Sequence, residues 1–320
     1  MITTLKIFLS LSVLLCLLKP QNVMAQDIQL SSKSQWGSIE FDGFKRTYLY
    51  YIPSMAKELN RNLPLVIVLH GGTGKPEGME KLTFYRFDEL ADRDGFIVVY
   101  PAGVGGNWND GRTVNNRVAN ENIDDVGFIS VLIQQFVRYS DVDPRKVYVT
   151  GISNGAIFAT RLAGELSNKI AAAAPVAGST PLDISTSYKP KFPVSMLFIN
   201  GDEDPLVPFK GGYVHFFFSK RGQIVPVNEA VRDWALLDGC KGDPVDERLT
   251  LQDHTDPTWV EKVAYSVSHN GAEVLLYVIH GGGHTWPGGM KYAGEWMVGK
   301  VSRQLDATDV IWDFFKRHSK

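Results

Sequence analysis

Residues 147–156 read VYVTGISNGA, a strand-forming run that ends in the pattern Gly-x-Ser-x-Gly. A segment of good helix formers, residues 156–166, follows at once. Gly151 and Gly155 lack a Cβ atom, so a strand and a helix can pack closely around a sharp turn at Ser153. This context is typical of a nucleophilic serine. The alternative is an ordinary glycine-rich turn.

Two further predicted strands end in acidic residues or histidines. Residues 194–199 (VSMLFI) lead into a turn with Asp202, Glu203 and Asp204, and residues 272–279 (AEVLLYVI) lead into His280 and His284. The carboxyl ends of parallel strands meet at one edge of a sheet, and the chain order serine, acid, histidine is typical of one class of catalytic triad. The residues alone leave open which acid takes part.

His280 and His284 have the spacing of a metal-binding pair on a helix. Five glycines and a proline in residues 280–289 oppose a helix, so we expect no metal site. A strand at residues 65–69 (LVIVL) precedes His70-Gly71-Gly72, a loop of the kind that supplies oxyanion-hole N–H groups. We expect the backbone N–H groups of Gly72 and Asn154 in that role. His70 is interpreted as a brace for the loop, and His215, without a motif, as a surface residue.

Strand and helix patterns alternate along the chain, which predicts an α/β fold with a mostly parallel central sheet and helices on both faces. An antiparallel hairpin is predicted at the N-terminus around Asp42-Gly43. The predicted helices include residues 79–93, 125–139, 227–237 and 306–318. We expect one domain over residues 26–320.

Residues 1–25 resemble a signal peptide, with an apolar run from Ile7 to Leu18 and Val23-Met24-Ala25 before the expected cleavage site. We therefore expect a secreted or periplasmic protein. Loss of Lys6 and Lys19 would change the formal charge from −2 to −4. No basic run predicts nucleic-acid or membrane binding. Cys240 would be the only mature cysteine, as a buried small residue or a reactive thiol.

Seven segments together resemble the secreted α/β-hydrolase esterases that include feruloyl esterases, acetylxylan esterases and polyhydroxybutyrate depolymerase-like proteins. These segments are residues 70–72, 107–112, 124–128, 151–155, 204–208, 283–288 and 306–315. The resemblance implies ester hydrolysis by Ser153, Asp204 and His284 through an acyl-enzyme, without cofactor or metal. It selects Asp204 because family members resemble G-x-x-D-P-x-V-P around the acid. Relatives often pair a cysteine matching Cys240 with one matching residues 266–268, where this chain has Ser-Val-Ser.

The substrate is less constrained than the reaction. Trp286 follows His284 closely and Trp108 lies on a glycine- and asparagine-rich loop, so both are candidate aromatic walls of a substrate site. They favour feruloyl esters of plant polysaccharide, with acetylxylan or 3-hydroxybutyrate oligomers as alternatives. A non-catalytic carbohydrate-binding protein on the same fold is a further alternative, but such a protein would be expected to lose a triad residue. The sequence leaves the oligomeric state open.

Overall fold

The computed structural model describes residues 34–57, 62–114, 121–140, 142–187, 190–216 and 219–320, which belong to one compact unit. The predicted signal peptide, residues 1–25, lies outside the described residues. The strands are β1 (Gln35–Phe41), β2 (Phe44–Tyr51), β3 (Leu63–Leu69), β4 (Ile97–Pro101), β5 (Val142–Ile152), β6 (Ala172–Val176), β7 (Ser195–Gly201), β8 (Gly212–Phe216), β9 (Ser219–Ile224), β10 (Val245–Arg248), β11 (Trp259–Ala264) and β12 (Val274–His280). The helices are α1 (Pro76–Leu82), α2 (Arg86–Asp94), α3 (Asp125–Tyr139), α4 (Asn154–Glu165), α5 (Leu182–Ser185), α6 (Val227–Leu237), α7 (Glu295–Val298) and α8 (Ala307–Phe315).

Ten strands form one sheet in the order β1-β2-β4-β3-β5-β6-β7-β12-β11-β10. The strands from β4 to β12 in this order are parallel. The predicted N-terminal hairpin is formed by β1 and β2, and β2 also pairs antiparallel with β4. The antiparallel strands β11 and β10 at the opposite edge were not predicted. The separate hairpin of β8 and β9 was not predicted either.

Apolar residues cover both faces of the sheet, which confirms the predicted layers. One buried cluster joins the sheet to α3, α4 and α6, and the other joins it to α1, α2 and α8. No helix in the described ranges is both long enough and apolar enough to cross a membrane.

The predicted helix over residues 79–93 is wrong as a single element, because the chain forms α1 and α2 with a turn between them. Phe84 and Tyr85 have φ values of +50° and +60°. The Tyr85 N–H donates to the Glu80 carbonyl at 2.8 Å, and the Phe84 N–H donates to that of Lys81 at 3.0 Å. These bonds satisfy the last carbonyls of α1 and reverse the chain, which the helical periodicity does not reveal.

Candidate active site

Ser153 lies on the sharp turn between β5 and α4. Its φ of +58° and ψ of −120° are unfavourable for a non-glycine residue and persist only where the surroundings impose them. A Cβ atom added to Gly151 or Gly155 would lie 2.6 Å from the carbonyl oxygen of Leu69. Both glycines are therefore required for the close approach of β3, β5 and α4. The turn has the strand–turn–helix geometry predicted for a nucleophile.

Asp204 and His284 lie on the loops after β7 and β12 and are hydrogen-bonded to each other. His284 Nδ1 is 2.7 Å from Asp204 Oδ2, and the two side chains are 4% and 1% exposed. Asp204 Oδ1 accepts the backbone N–H groups of Leu206 and Val207 at 2.8 Å each. With Nδ1 as donor to the carboxylate, Nε2 is the acceptor nitrogen of the neutral ring.

The sheet order brings the three predicted catalytic residues to one edge. Strands β5, β6, β7 and β12 are consecutive and parallel. Ser153, Asp204 and His284 each follow the carboxyl end of one of these strands. This is the edge at which open α/β sheets build their sites.

A second aspartate–histidine pair lies nearby, formed by Asp202 and His280. Their Oδ2 and Nδ1 atoms are 2.7 Å apart, and His280 Nε2 is 3.2 Å from Glu261 Oε2. Both ring nitrogens of His280 thus contact carboxylates, so neither is available to a serine. All three side chains line a separate pocket of about 440 Å³ that does not include Ser153.

His70 holds the glycine loop after β3. Its Nε2 accepts the Gly103 N–H at 3.0 Å, and its Nδ1 lies 2.7 Å from the Gly71 carbonyl. Burial lowers the pKa of His70 to about 4, so the ring is neutral at pH 7. The geometry agrees with the interpretation of His70 as a brace.

A pocket of about 90 Å³ opens beside Ser153. Gly72 and Asn154, the expected oxyanion residues, line it together with the serine. The lining also includes an apolar part, Leu206, Val207, Val214 and Phe216, and a polar part, Thr73, Asn107, Arg112, His215 and Arg221. His215, expected at the surface, is half-buried and lines this pocket.

Neither predicted aromatic wall lies in this pocket, so the expectation for both tryptophans needs correction. Trp286 is fully buried, and its indole N–H donates to the Thr308 hydroxyl at 3.1 Å. Trp108 is also fully buried; its ring stacks on Phe158 at 5.3 Å, and its indole N–H donates to the His70 carbonyl at 2.9 Å. Packing of the loops explains both residues.

A buried polar network, not predicted from the sequence, fixes the loop that carries Trp108. The Asn154 amide donates to Asp110 Oδ2 at 2.6 Å, and its oxygen accepts the Trp108 N–H at 2.8 Å. Asp110 also accepts the Arg112 guanidinium through Nε and Nη2 at 3.0 and 2.6 Å. These residues were in a motif of the family resemblance, but their role depends on contacts across 44 residues of chain.

No group of three or more His, Cys, Asp or Glu side chains in the described part of the chain is placed to hold a metal ion. Cys240 is buried and unpaired with any described cysteine, and burial raises the pKa of its thiol. The environment is that of a small packed residue.

Comparison with known proteins gives consistent results. A sequence model of the family described as "Esterase PHB depolymerase" matches residues 46–181. The putative esterase NocK of Nocardia uniformis subsp. tsuyamanensis is 30% identical over 277 residues, which cover 85% of this chain and 79% of NocK. Feruloyl esterase B of Piromyces equi is 28% identical over 69% of this chain and 39% of its own length.

The fold also matches a solved structure. An acetyl xylan esterase from Aspergillus awamori superposes with a TM-score of 0.59 over 88% of this chain and 99% of its own, at 17% identity. This likeness concerns the fold, which is that of an α/β-hydrolase. The family match and the relative confirm the resemblance found in the motifs. The chain belongs to the Esterase PHB depolymerase family and is a serine carboxylic-ester hydrolase.

Proposed function

We propose that Ser153, His284 and Asp204 are the catalytic triad of this hydrolase. His284 Nε2 takes the proton of Ser153 as the serine attacks the ester carbonyl, and Asp204 holds the ring and stabilises the imidazolium. The protonated ring then gives its proton to the leaving alcohol. Water repeats the sequence on the acyl-enzyme and releases the acid. The observation that carries the proposal is the strained Ser153 turn at the same edge of the sheet as a buried Asp204–His284 pair.

The N–H groups of Gly72 and Asn154 are proposed to bind the oxyanion of the tetrahedral intermediate. Support comes from their position beside Ser153 in the pocket lining. Asn154 is also the first residue of α4, where backbone N–H groups lack partners within the helix. Such donors are fixed before reaction and need not reorganise as charge develops.

The acyl group is proposed to be short, of acetyl or 3-hydroxybutyryl size. The pocket volume of about 90 Å³ is far below the roughly 300–1,000 Å³ of pockets that enclose drug-sized ligands. Its apolar wall suits a methyl or short alkyl group. The burial of Trp286 and Trp108 removes the main argument for a feruloyl group. We also propose export of the protein after removal of residues 1–25, on the basis of their sequence.

Two measurements test this function. We expect the purified Ser153→Ala variant to keep the far-ultraviolet spectrum and melting temperature of the wild type and to lose ester hydrolysis by several orders of magnitude. We expect kcat/KM to be higher for acetyl and 3-hydroxybutyryl esters than for methyl ferulate. Activity in folded Ser153→Ala would contradict the nucleophile, whereas a preference for methyl ferulate would contradict only the short acyl group.

A further inference from the structure

Two arginines line the pocket of Ser153, and their environments differ. The guanidinium of Arg112 is hydrogen-bonded to Asp110 through Nε and Nη2, so its charge is neutralised within the protein. Arg221 has no carboxylate within 4.0 Å among the residues that the structure describes. Arg221 is therefore the charged lining residue that no described carboxylate contacts, in a chain with a formal charge of −2.

The environment of Arg221 leaves part of its hydrogen-bonding capacity unused. Its Nε atom is buried and has no hydrogen-bond partner in the described structure. A buried donor without a partner costs free energy, so the protein itself satisfies this guanidinium only in part. The guanidinium carbon lies 5.2 Å from the centre of the Phe216 ring, which supports the side chain by a cation–π contact.

The backbone of Arg221 is also held in place. Arg112 Nη1 donates to the Arg221 carbonyl at 2.8 Å. A Cβ atom on the next residue, Gly222, would lie 2.8 Å from Arg112 Cβ, and Gly222 has a φ of +77°. The hairpin thus lies directly on Arg112, which Asp110 fixes in turn. These contacts with Arg112 hold the part of β9 from which the Arg221 side chain lines the pocket.

We propose that Arg221 binds a carboxylate of the substrate, so that the enzyme selects esters with a free acid group near the scissile bond. A guanidinium binds a carboxylate through paired N–H donors. The substrate class is then an acylated hydroxy acid, an acidic sugar ester or a dicarboxylic monoester. This inference rests on the proposed catalytic role of Ser153, because Arg221 and Ser153 share one pocket.

The wild-type enzyme supplies the first test. Initial rates are measured for 3-acetoxybutyrate and its neutral isostere 3-acetoxybutyramide, which place the charge on the alcohol side. Ethyl hydrogen succinate and ethyl succinamate place it on the acyl side. We expect kcat/KM to be about 10- to 100-fold higher for the acid of at least one pair, as charge-assisted hydrogen bonds predict. The acid–amide pair that shows the preference identifies whether the bound carboxylate lies on the alcohol side or the acyl side of the ester. Equal values in both pairs would overturn the proposal.

Variants then assign the preference to Arg221. Arg221→Gln should abolish the preference for the acid through a higher KM, with little change for the amide, and Arg221→Lys should retain part of it. Lys220→Gln is the matched control, because it removes a neighbouring charge of the same hairpin on a side chain outside the pocket lining. Equal losses of kcat on acid and amide in Arg221→Gln would instead indicate oxyanion stabilisation and overturn carboxylate binding.

A binding measurement separates this proposal from the catalytic one. Calorimetry of Ser153→Ala with 3-acetoxybutyrate, 3-acetoxybutyramide, ethyl hydrogen succinate and ethyl succinamate does not depend on hydrolysis. Tighter binding of one acid than of its amide supports the carboxylate site even if the wild type hydrolyses neither ester. Equal affinities for the acid and the amide in both pairs would reject the carboxylate site at Arg221. They would not contradict the proposed catalytic triad.

Discussion

Asp202 and Asp204 are two residues apart, and each is 2.7 Å from a histidine nitrogen. The second oxygen of Asp204 accepts two N–H groups, from Leu206 and Val207, whereas that of Asp202 accepts one, from Gly281. In Asp204→Asn the amide oxygen would keep these bonds, so the NH₂ group would face His284. The ring would then carry its proton on Nε2, the wrong tautomer to accept from serine. We expect kcat to fall about 10⁴-fold, measured with an acetyl ester.

Asp202→Asn is the matched control for this prediction. It changes an aspartate in the same loop and also breaks an aspartate–histidine pair, but that pair lines a different pocket. We expect its kcat to stay within a few-fold of the wild type. A severe loss in Asp202→Asn with a mild loss in Asp204→Asn would assign the acid to Asp202.

Trp286 should matter for stability and not for substrate choice. Trp286→Ala removes a fully buried ring that packs edge-on against Phe87 at 6.2 Å. We expect the free energy of unfolding to fall by about 3–5 kcal/mol, measured by urea denaturation. The relative kcat/KM for methyl ferulate and a short acetyl ester should not change. Trp296→Ala is the control, since this side chain is 82% exposed; a selectivity change confined to Trp286→Ala would contradict the assignment.

The positions and partners of single residues could be predicted only in part from the sequence. The sharp turn at Ser153 could be predicted because it depends on neighbours within a few positions. The acid could be narrowed to Asp204 by the family pattern, and its pairing with His284 was observed in the structure. The two tryptophans were misplaced because exposure depends on packing against distant helices. Arg221 carried no local signal, since its position in the pocket arises from a hairpin that the sequence did not predict.

Among the elements, α1 and α2 bring together two buried carboxyl groups, Glu80 and Asp88. Burial, reinforced by the Glu80 charge, raises the pKa of Asp88 to about 8. The folded protein therefore holds a proton that the unfolded chain releases near pH 4, so this carboxyl lowers the free energy of unfolding as the pH rises from about 4 to 8. The lowered pKa of His70 has the opposite effect. The unfolded chain binds this proton more readily, so His70 lowers the free energy of unfolding as the pH falls below about 6.5.

Asp88→Asn isolates this contribution. We expect the stability of the variant, relative to the wild type, to increase between pH 5 and pH 8, as measured by urea midpoints at several pH values. Glu89→Gln on the same helix is the control, because Glu89 forms only an exposed ion pair with Arg86. Parallel pH profiles for Asp88→Asn and the wild type would show that Asp88 is already ionised in the folded protein.

Prediction of the elements succeeded for two long helices and failed for a short buried strand. The bounds predicted for α3 and α6 agree with the structure because each helix has a sustained apolar stripe. Strand β6 was not predicted, since its sequence AAAPV has little strand propensity. Burial between β5 and β7 in the sheet determines its conformation instead.

At the scale of the whole molecule, the N-terminal sequence predicts that residues 1–25 are removed as a signal peptide. When the full chain is expressed in a bacterium with an export pathway, we expect the exported protein to begin at Gln26, as determined by intact mass. The reason is the apolar run before Val23-Met24-Ala25. Replacement of Ala25 by Arg should block cleavage and leave the longer chain. Recovery of the uncleaved wild-type chain from the cytoplasm alone would contradict this expectation.

The hairpin of β8 and β9 is not part of the ten-stranded sheet, yet it supplies Val214, His215, Phe216 and Arg221 to the pocket. Its sequence can therefore vary without shifting the register of the strands that position Ser153, Asp204 and His284. On the roles proposed for Ser153 and Arg221, substrate choice and bond cleavage would evolve on separately mutable parts of the chain. Exchange of residues 212–224 between relatives that retain Gly222 and Arg112 is consequently a route to new selectivity, because the contact of the hairpin with Arg112 is then preserved.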